Sequence, residues 1–146
     1  MSSTALSYFD AGLDHLSQAL WLHDQEHYYL SHYHSGLAVE CMLRAYMRRL
    51  MVQFRARHDL NLIATDGQFY DLVPDDEVAE WSSRIAAVNL RWRSNERYMG
   101  ETELWSYLDG LKHDQGMVGR QAEHESHLLL RRAFAIVMLG RMKWDS

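Results

Sequence analysis

Apolar residues recur along most of this chain at three- and four-residue steps, the period of a helix with one buried face. The first run carries Leu6, Phe9, Leu13, Leu16 and Leu20, and Ser3 or Thr4 is placed to cap its start. It predicts a helix to about Gln25. A polar break at Asp24 to His27 then leads into Leu30 to Leu50, where Val39, Met42, Leu43, Tyr46 and Leu50 share a broad face while Leu37 and Cys41 fall opposite. A helix that is apolar nearly all round is expected to be buried. Glu40 and Arg44, one turn apart with the acid first, therefore read as a matched ion pair within it. Gly36 costs about 1 kcal/mol in a helix interior, so the sequence predicts a close packing contact there.

Further along, Phe54 to His58 reads as a connector, and Asp59 caps a short helix with Leu60, Leu62, Ile63 and Ala64 that ends at Asp66-Gly67. Pro74 followed by Asp75, Asp76 and Glu77 predicts a helix start, because proline sets the entry angle and the acids suit the positive end of the dipole. Val78, Trp81, Ile85, Val88 and Trp92 form the cleanest core stripe in the chain, with Arg84 and Arg91 on another face. Thr102 caps a short helix with Leu104, Trp105, Leu108 and Leu111; Gly110, Gly116 and Gly119 mark a loop. The last helix runs from about Arg120 to Trp144, polar in its first half and apolar in its second. The expected fold is all-α: an antiparallel four-helix-type up-and-down bundle with one or two extra short helices, as a single domain over residues 1–146.

Composition narrows the classes. The chain has 146 residues, 47% of them apolar, enough for one buried core. Cys41 is the only cysteine, which excludes an internal disulfide and points to a reducing compartment. No apolar run reaches a membrane span, and MSSTALSYFD lacks the features of a secretory signal, so the expected location is cytoplasmic with no membrane partner. The net charge of −5 is unevenly spread. Between Met42 and Arg57 lie arginines 44, 48, 49, 55 and 57 with no acid, whereas Asp59 to Glu80 holds only acids among its charged residues. The basic stretch reads either as facing the acidic one or as a footprint for an anionic partner.

Three chemistries compete for the polar residues. The segment from Arg91 to Tyr98 places Arg91, Arg93, Asn95, Arg97 and Tyr98 beside Trp92 at a helix end, a set that could hold a phosphate by bidentate contacts and stacking. The bland alternative is a helix C-terminus whose arginines meet free carbonyls. Nine histidines raise a metal reading, with His23 and His27 one turn apart and His124 and His127 opening the last helix. The Glu-x-x-His repeat of di-iron bundles is absent, His32 and His34 point to different faces, and most histidines sit near helix ends, so no metal or other cofactor is expected. Cys41, mid-helix, reads as an inert thiol, and the chain has neither a nucleophile elbow nor a phosphate-cradling glycine loop.

Taken together, SGLAVECMLRAY (35–46), RHDL (57–60), RWRSNERY (91–98) and a final apolar helix ending near Trp144 resemble the HEPN superfamily. The resemblance covers about Tyr8 to Trp144. It implies a helical bundle that dimerises around a groove. It also implies a role in toxin–antitoxin, defence or RNA-processing systems, or nucleotide binding beside a minimal nucleotidyltransferase. RNase members carry an Arg with a polar residue directly after it, and a His separated from that Arg by four to six intervening residues. At Arg93 to Tyr98 that His is missing, while a literal match stands at Arg120-Gln121 to His127. The expected function is thus a dimeric domain that binds a nucleotide, RNA or partner protein through Arg91, Arg93, Asn95, Arg97 and Tyr98. Glu40, Arg44, His58 and Asp59 form its supporting polar core. The alternatives are a metal-independent endoribonuclease using Arg120 and His127, and a metal-dependent bundle enzyme using His23 and His27 with Glu or His from the last helix.

Overall fold

The computed structural model describes residues 3–51, 59–92 and 118–146, and among these lie five α-helices and two short 3-10 turns. They are α1 (Ser3–Asp24), α2 (Tyr28–Arg49), α3 (Leu60–Asp66), α4 (Val78–Arg91) and α5 (Val118–Lys143), with 3-10 turns at Phe69–Leu72 and Asp75–Glu77 between α3 and α4. Among the described residues there is no strand. The expected connector at 54–58 and the short helix after Thr102 lie outside them, as do Gly110 and Gly116. Gly119, expected in a loop, lies in the first turn of α5. The first backbone N–H groups of a helix have no partner within it, so the first turn is where loop and helix are hardest to tell apart.

Inter-helix contacts fix the directions. Gly12 lies against Ala38 and Met42, and the Ser31 hydroxyl donates to the Ala19 carbonyl at 2.8 Å, so α1 and α2 are antiparallel. The Phe9 ring stacks on Trp144 at 4.7 Å while His23 reaches Ser126, so α5 runs antiparallel to α1. Arg91 meets Glu125, and Arg84 shares a hollow with Arg132, so α4 is antiparallel to α5. The four long helices therefore alternate up, down, up, down, with α2 and α5 parallel. The α1–α2 reversal is tight: Glu26 takes a left-handed φ of 64°, with Glu26 N–H bonded to His23 O and His27 N–H to Leu22 O. That is the paired bonding of a Schellman helix end, here without the glycine that usually fills it.

The core is built on α2. From Ala38 to Met47 every residue is buried, as the all-round apolar pattern predicts. Leu50, assigned by period to its main face, falls beyond the helix end and is 41% exposed. The α4 stripe is buried at Ile85, Val88 and Trp92 and half-buried at Val78 and Trp81, the latter packed against the core. Gly36 has the packing reason that its cost implied: a Cβ there would lie 2.0 Å from the Trp92 indole. At the other end, the Tyr46 hydroxyl donates to the Gly140 carbonyl at 2.5 Å, and the Arg49 guanidinium covers the rings of Tyr46 and Trp144 at 4.4 and 4.3 Å. Burial pushes the Tyr46 phenol up to about 12, against the opposing pull of Arg49.

Candidate functional site

The Glu40–Arg44 pair forms as the spacing predicts, Arg44 Nε lying 3.2 Å from Glu40 Oε2 with side chains 11% and 6% exposed respectively. Asp59, expected in the same polar core, is instead exposed and accepts a hydrogen bond from the Leu62 N–H at 3.3 Å. It is the N-cap of α3, since a carboxylate at that position gains more from the unbonded helix amides than from burial. His58 lies outside the described residues.

Of the expected ligand-binding set, Arg91 is described; Arg93, Asn95, Arg97 and Tyr98 are not. Arg91 Nη1 stands 3.5 Å from Glu125 Oε1, and the Glu125 side chain is 1% exposed. The polar first half of α5 is thus not a solvated face throughout: Ala122, Glu125 and Ser126 are buried. Two turns back on α4, Arg84 bonds Glu80 and stacks its guanidinium on Trp81 at 4.4 Å. Arg84 also lines a hollow of about 390 Å³ between α4 and α5, with Leu128, Arg131, Arg132 and Ala135.

On the opposite flank of α5, the structure joins two histidines that lie far apart in the sequence, His23 and His127. His23 Nδ1 is 2.9 Å from the buried Ser126 Oγ, and its ring centroid is 5.8 Å from that of His127. With Glu123 and His124 they line an open hollow of about 520 Å³. Burial, then the neighbouring His127, lowers the His23 pKa, and Glu123 and Asp24 oppose the shift. His27 is exposed at the start of α2, and among the described residues no three His, Cys, Asp or Glu side chains gather as metal ligands. Arg120 lies in the first turn of α5, outside the residues whose side chains are described.

A second histidine pair escaped the sequence reading. His15 on α1 and His34 on α2 approach with Nδ1 atoms 2.9 Å apart and ring centroids 5.1 Å apart. That contact accommodates one proton between the nitrogens, and burial lowers both pKa values, with Asp14 opposing at His15 and His15 adding to the effect at His34. The unfolded chain then binds more protons than the folded one. Stability contributed here is full above the unfolded value near 6.5 and falls as pH drops from there through the folded values. We expect urea midpoints to decline from pH 7 to 5 more steeply in the wild type than in His34→Gln; equal slopes would remove the pair from the account. His32, also unexpected, is fully buried in α2 rather than at a surface or cap.

The residues missed left one legible signal: Arg131 and Arg132 interrupt an otherwise apolar run, LLLRRAFAIVMLG. Nothing in one sequence pairs them with Arg84, or His23 with Ser126. No helix among the described residues is long and apolar enough to cross a membrane. Comparison with protein-family models, curated proteins and solved structures finds no match.

Proposed function

We propose that the chain is a HEPN-like helical domain that binds a nucleotide or RNA without cleaving it. It acts in the cytoplasm as a homodimer, beside a nucleotidyltransferase or antitoxin partner. The observation that carries this reading is the Arg91–Glu125 contact, which fastens the start of the arginine-rich segment 91–98 to α5. Guanidinium groups suit phosphate through paired N–H donors. The dimer draws support from Leu20 and Phe134, 44% and 47% exposed, which meet at one hollow on the α1–α5 seam near exposed Trp21.

A second reading, a metal-independent endoribonuclease, is favoured by His23 standing beside His127. One imidazole could take the 2′-hydroxyl proton as that oxygen attacks phosphorus, while the other, protonated, gives a proton to the departing 5′-oxygen. The two readings separate in one experiment with a labelled single-stranded RNA in EDTA, with ATP as competitor. The binding reading expects intact RNA, saturable binding, and loss of about tenfold or more in affinity for Arg93→Ala and Arg97→Ala with unchanged circular dichroism. Cleavage abolished by His127→Ala would replace it with the nuclease. Binding unaffected by either arginine substitution would sink the assignment of segment 91–98.

A further inference from the structure

The hollow between α4 and α5 brings Arg84, Arg131 and Arg132 together over a floor of Leu128 and Ala135. Arg84 is held in place, bonded to Glu80 and stacked on Trp81. Among the described residues, neither Arg131 nor Arg132 has an acidic partner. Among the described residues that line this concavity, three guanidinium charges less the Glu80 carboxylate leave two positive charges, on a chain whose net charge is −5. Clustered arginines repel one another, and an acidic protein has carboxylates to spare for neutralising them. Among the described residues two of the three lack a carboxylate partner at this hollow, an arrangement suited to an anion supplied from outside.

We infer that this hollow is a phosphoryl-group site, formed by Arg84, Arg131 and Arg132 and taking the phosphate of a nucleotide or of an RNA backbone. The inference rests on the nucleotide- or RNA-binding reading above and adds to segment 91–98 a second anchoring point at the α4–α5 seam. The charge matches a phosphate monoester dianion or a diphosphate, and planar guanidinium forks meet phosphate oxygens through paired donors. The volume of about 390 Å³ lies within the range of small-ligand sites. Arg84, pre-positioned by its stack and ion pair, would lose little freedom on binding. Arg131 also borders the adjoining hollow lined by Leu20, His127, Leu130 and Phe134.

The test uses the full chain and three probes: inorganic pyrophosphate, ATP and a fluorescent decauridylate. Affinities are compared for wild type, Arg131→Glu/Arg132→Glu, and a charge-matched control, Arg141→Glu/Lys143→Glu, on exposed residues of the same helix. The expected result is a loss of about a hundredfold for the first double variant and less than about threefold for the control. Arg131 is exposed and Arg132 only half-buried, so both variants should keep the wild-type melting temperature. Pyrophosphate and ATP binding with no further gain for the decamer identifies a free nucleotide as the ligand. A decamer bound at least about tenfold more tightly, with a steep salt slope, identifies RNA. Equal losses in both double variants would show unspecific electrostatics and overturn the site. Binding retained at Arg131→Glu/Arg132→Glu but lost at Arg93→Ala would overturn the site alone and leave the binding reading standing. Wild type that binds none of the probes would overturn both.

Discussion

Gly36→Ala should destabilise the protein by about 3 kcal/mol, the largest loss expected from adding one methyl group. In an exposed helix the same change would stabilise by about 1 kcal/mol, because alanine fixes less backbone freedom on folding. Here the sign reverses. The new Cβ would stand 2.0 Å from Cγ of Trp92, 2.1 Å from Cδ1 and 2.2 Å from Cδ2. These are atoms at the root of a rigid ring that is 1% exposed, so no flexible tip can move aside. The indole must leave its place between α2 and α4, and its packing contacts go with it. Urea denaturation followed by tryptophan fluorescence measures the cost. A second change that shortens the ring, Trp92→Leu, should recover part of the loss in the Gly36→Ala background, since the clash and the ring are one interaction. If Gly36→Ala alone stayed within about 1 kcal/mol of wild type, the α2–α4 contact described here would be wrong.

Removing one partner of the buried ion pair has a comparable expected effect, for an electrostatic reason. Glu40→Ala should cost about 3–5 kcal/mol, because the Arg44 guanidinium is left in an apolar helix interface without its carboxylate at 3.2 Å. The double substitution Glu40→Leu/Arg44→Met should fall within about 1 kcal/mol of wild type, since matched apolar side chains avoid the desolvation of both charges. A double-mutant cycle by urea denaturation reads the difference directly. Should the double variant be as unstable as Glu40→Ala, the pair's other contacts would have to carry more of the stability than the pair itself. Ligand affinity should be untouched in the folded double variant, because a pair with side chains 11% and 6% exposed offers almost no surface to a ligand.

Both predictions concern α2, and they divide what a linear reading could and could not reach. Periodicity was enough to locate this helix, to bury it, and to pair Glu40 with Arg44, because residues four apart meet through local geometry alone. Gly36 stood out as a position needing a reason, but the reason, Trp92, comes from another helix. Capping was equally local: Asp59 bonds the Leu62 N–H three residues on, as its position before an apolar run predicts. What the local signal did not carry was where Asp59 would point, and it faces solvent instead of the Glu40–Arg44 pair.

The candidate sites lie on the other side of that divide. His23 and Ser126 are 103 positions apart and His15 and His34 are 19 apart, yet both pairs are in contact because α1 lies antiparallel to its two neighbours. His127, paired with Arg120 on its own helix only in the endoribonuclease alternative, meets His23 across the seam. Glu125 sits in a stretch, QAEHESH, whose polarity predicts a solvated face, and packing buries it against Arg91. Arg84, Arg131 and Arg132 become one basic hollow only when α4 and α5 pack together. The sequence by itself determined the all-α class, the helices among the described residues, the Asp59 cap and the buried spine, since these follow from backbone hydrogen bonding and a repeat of 3.6 residues. The tertiary structure alone decided which polar side chains face one another, because helix register and direction are set by the packing of the whole core and by no residue's immediate neighbours.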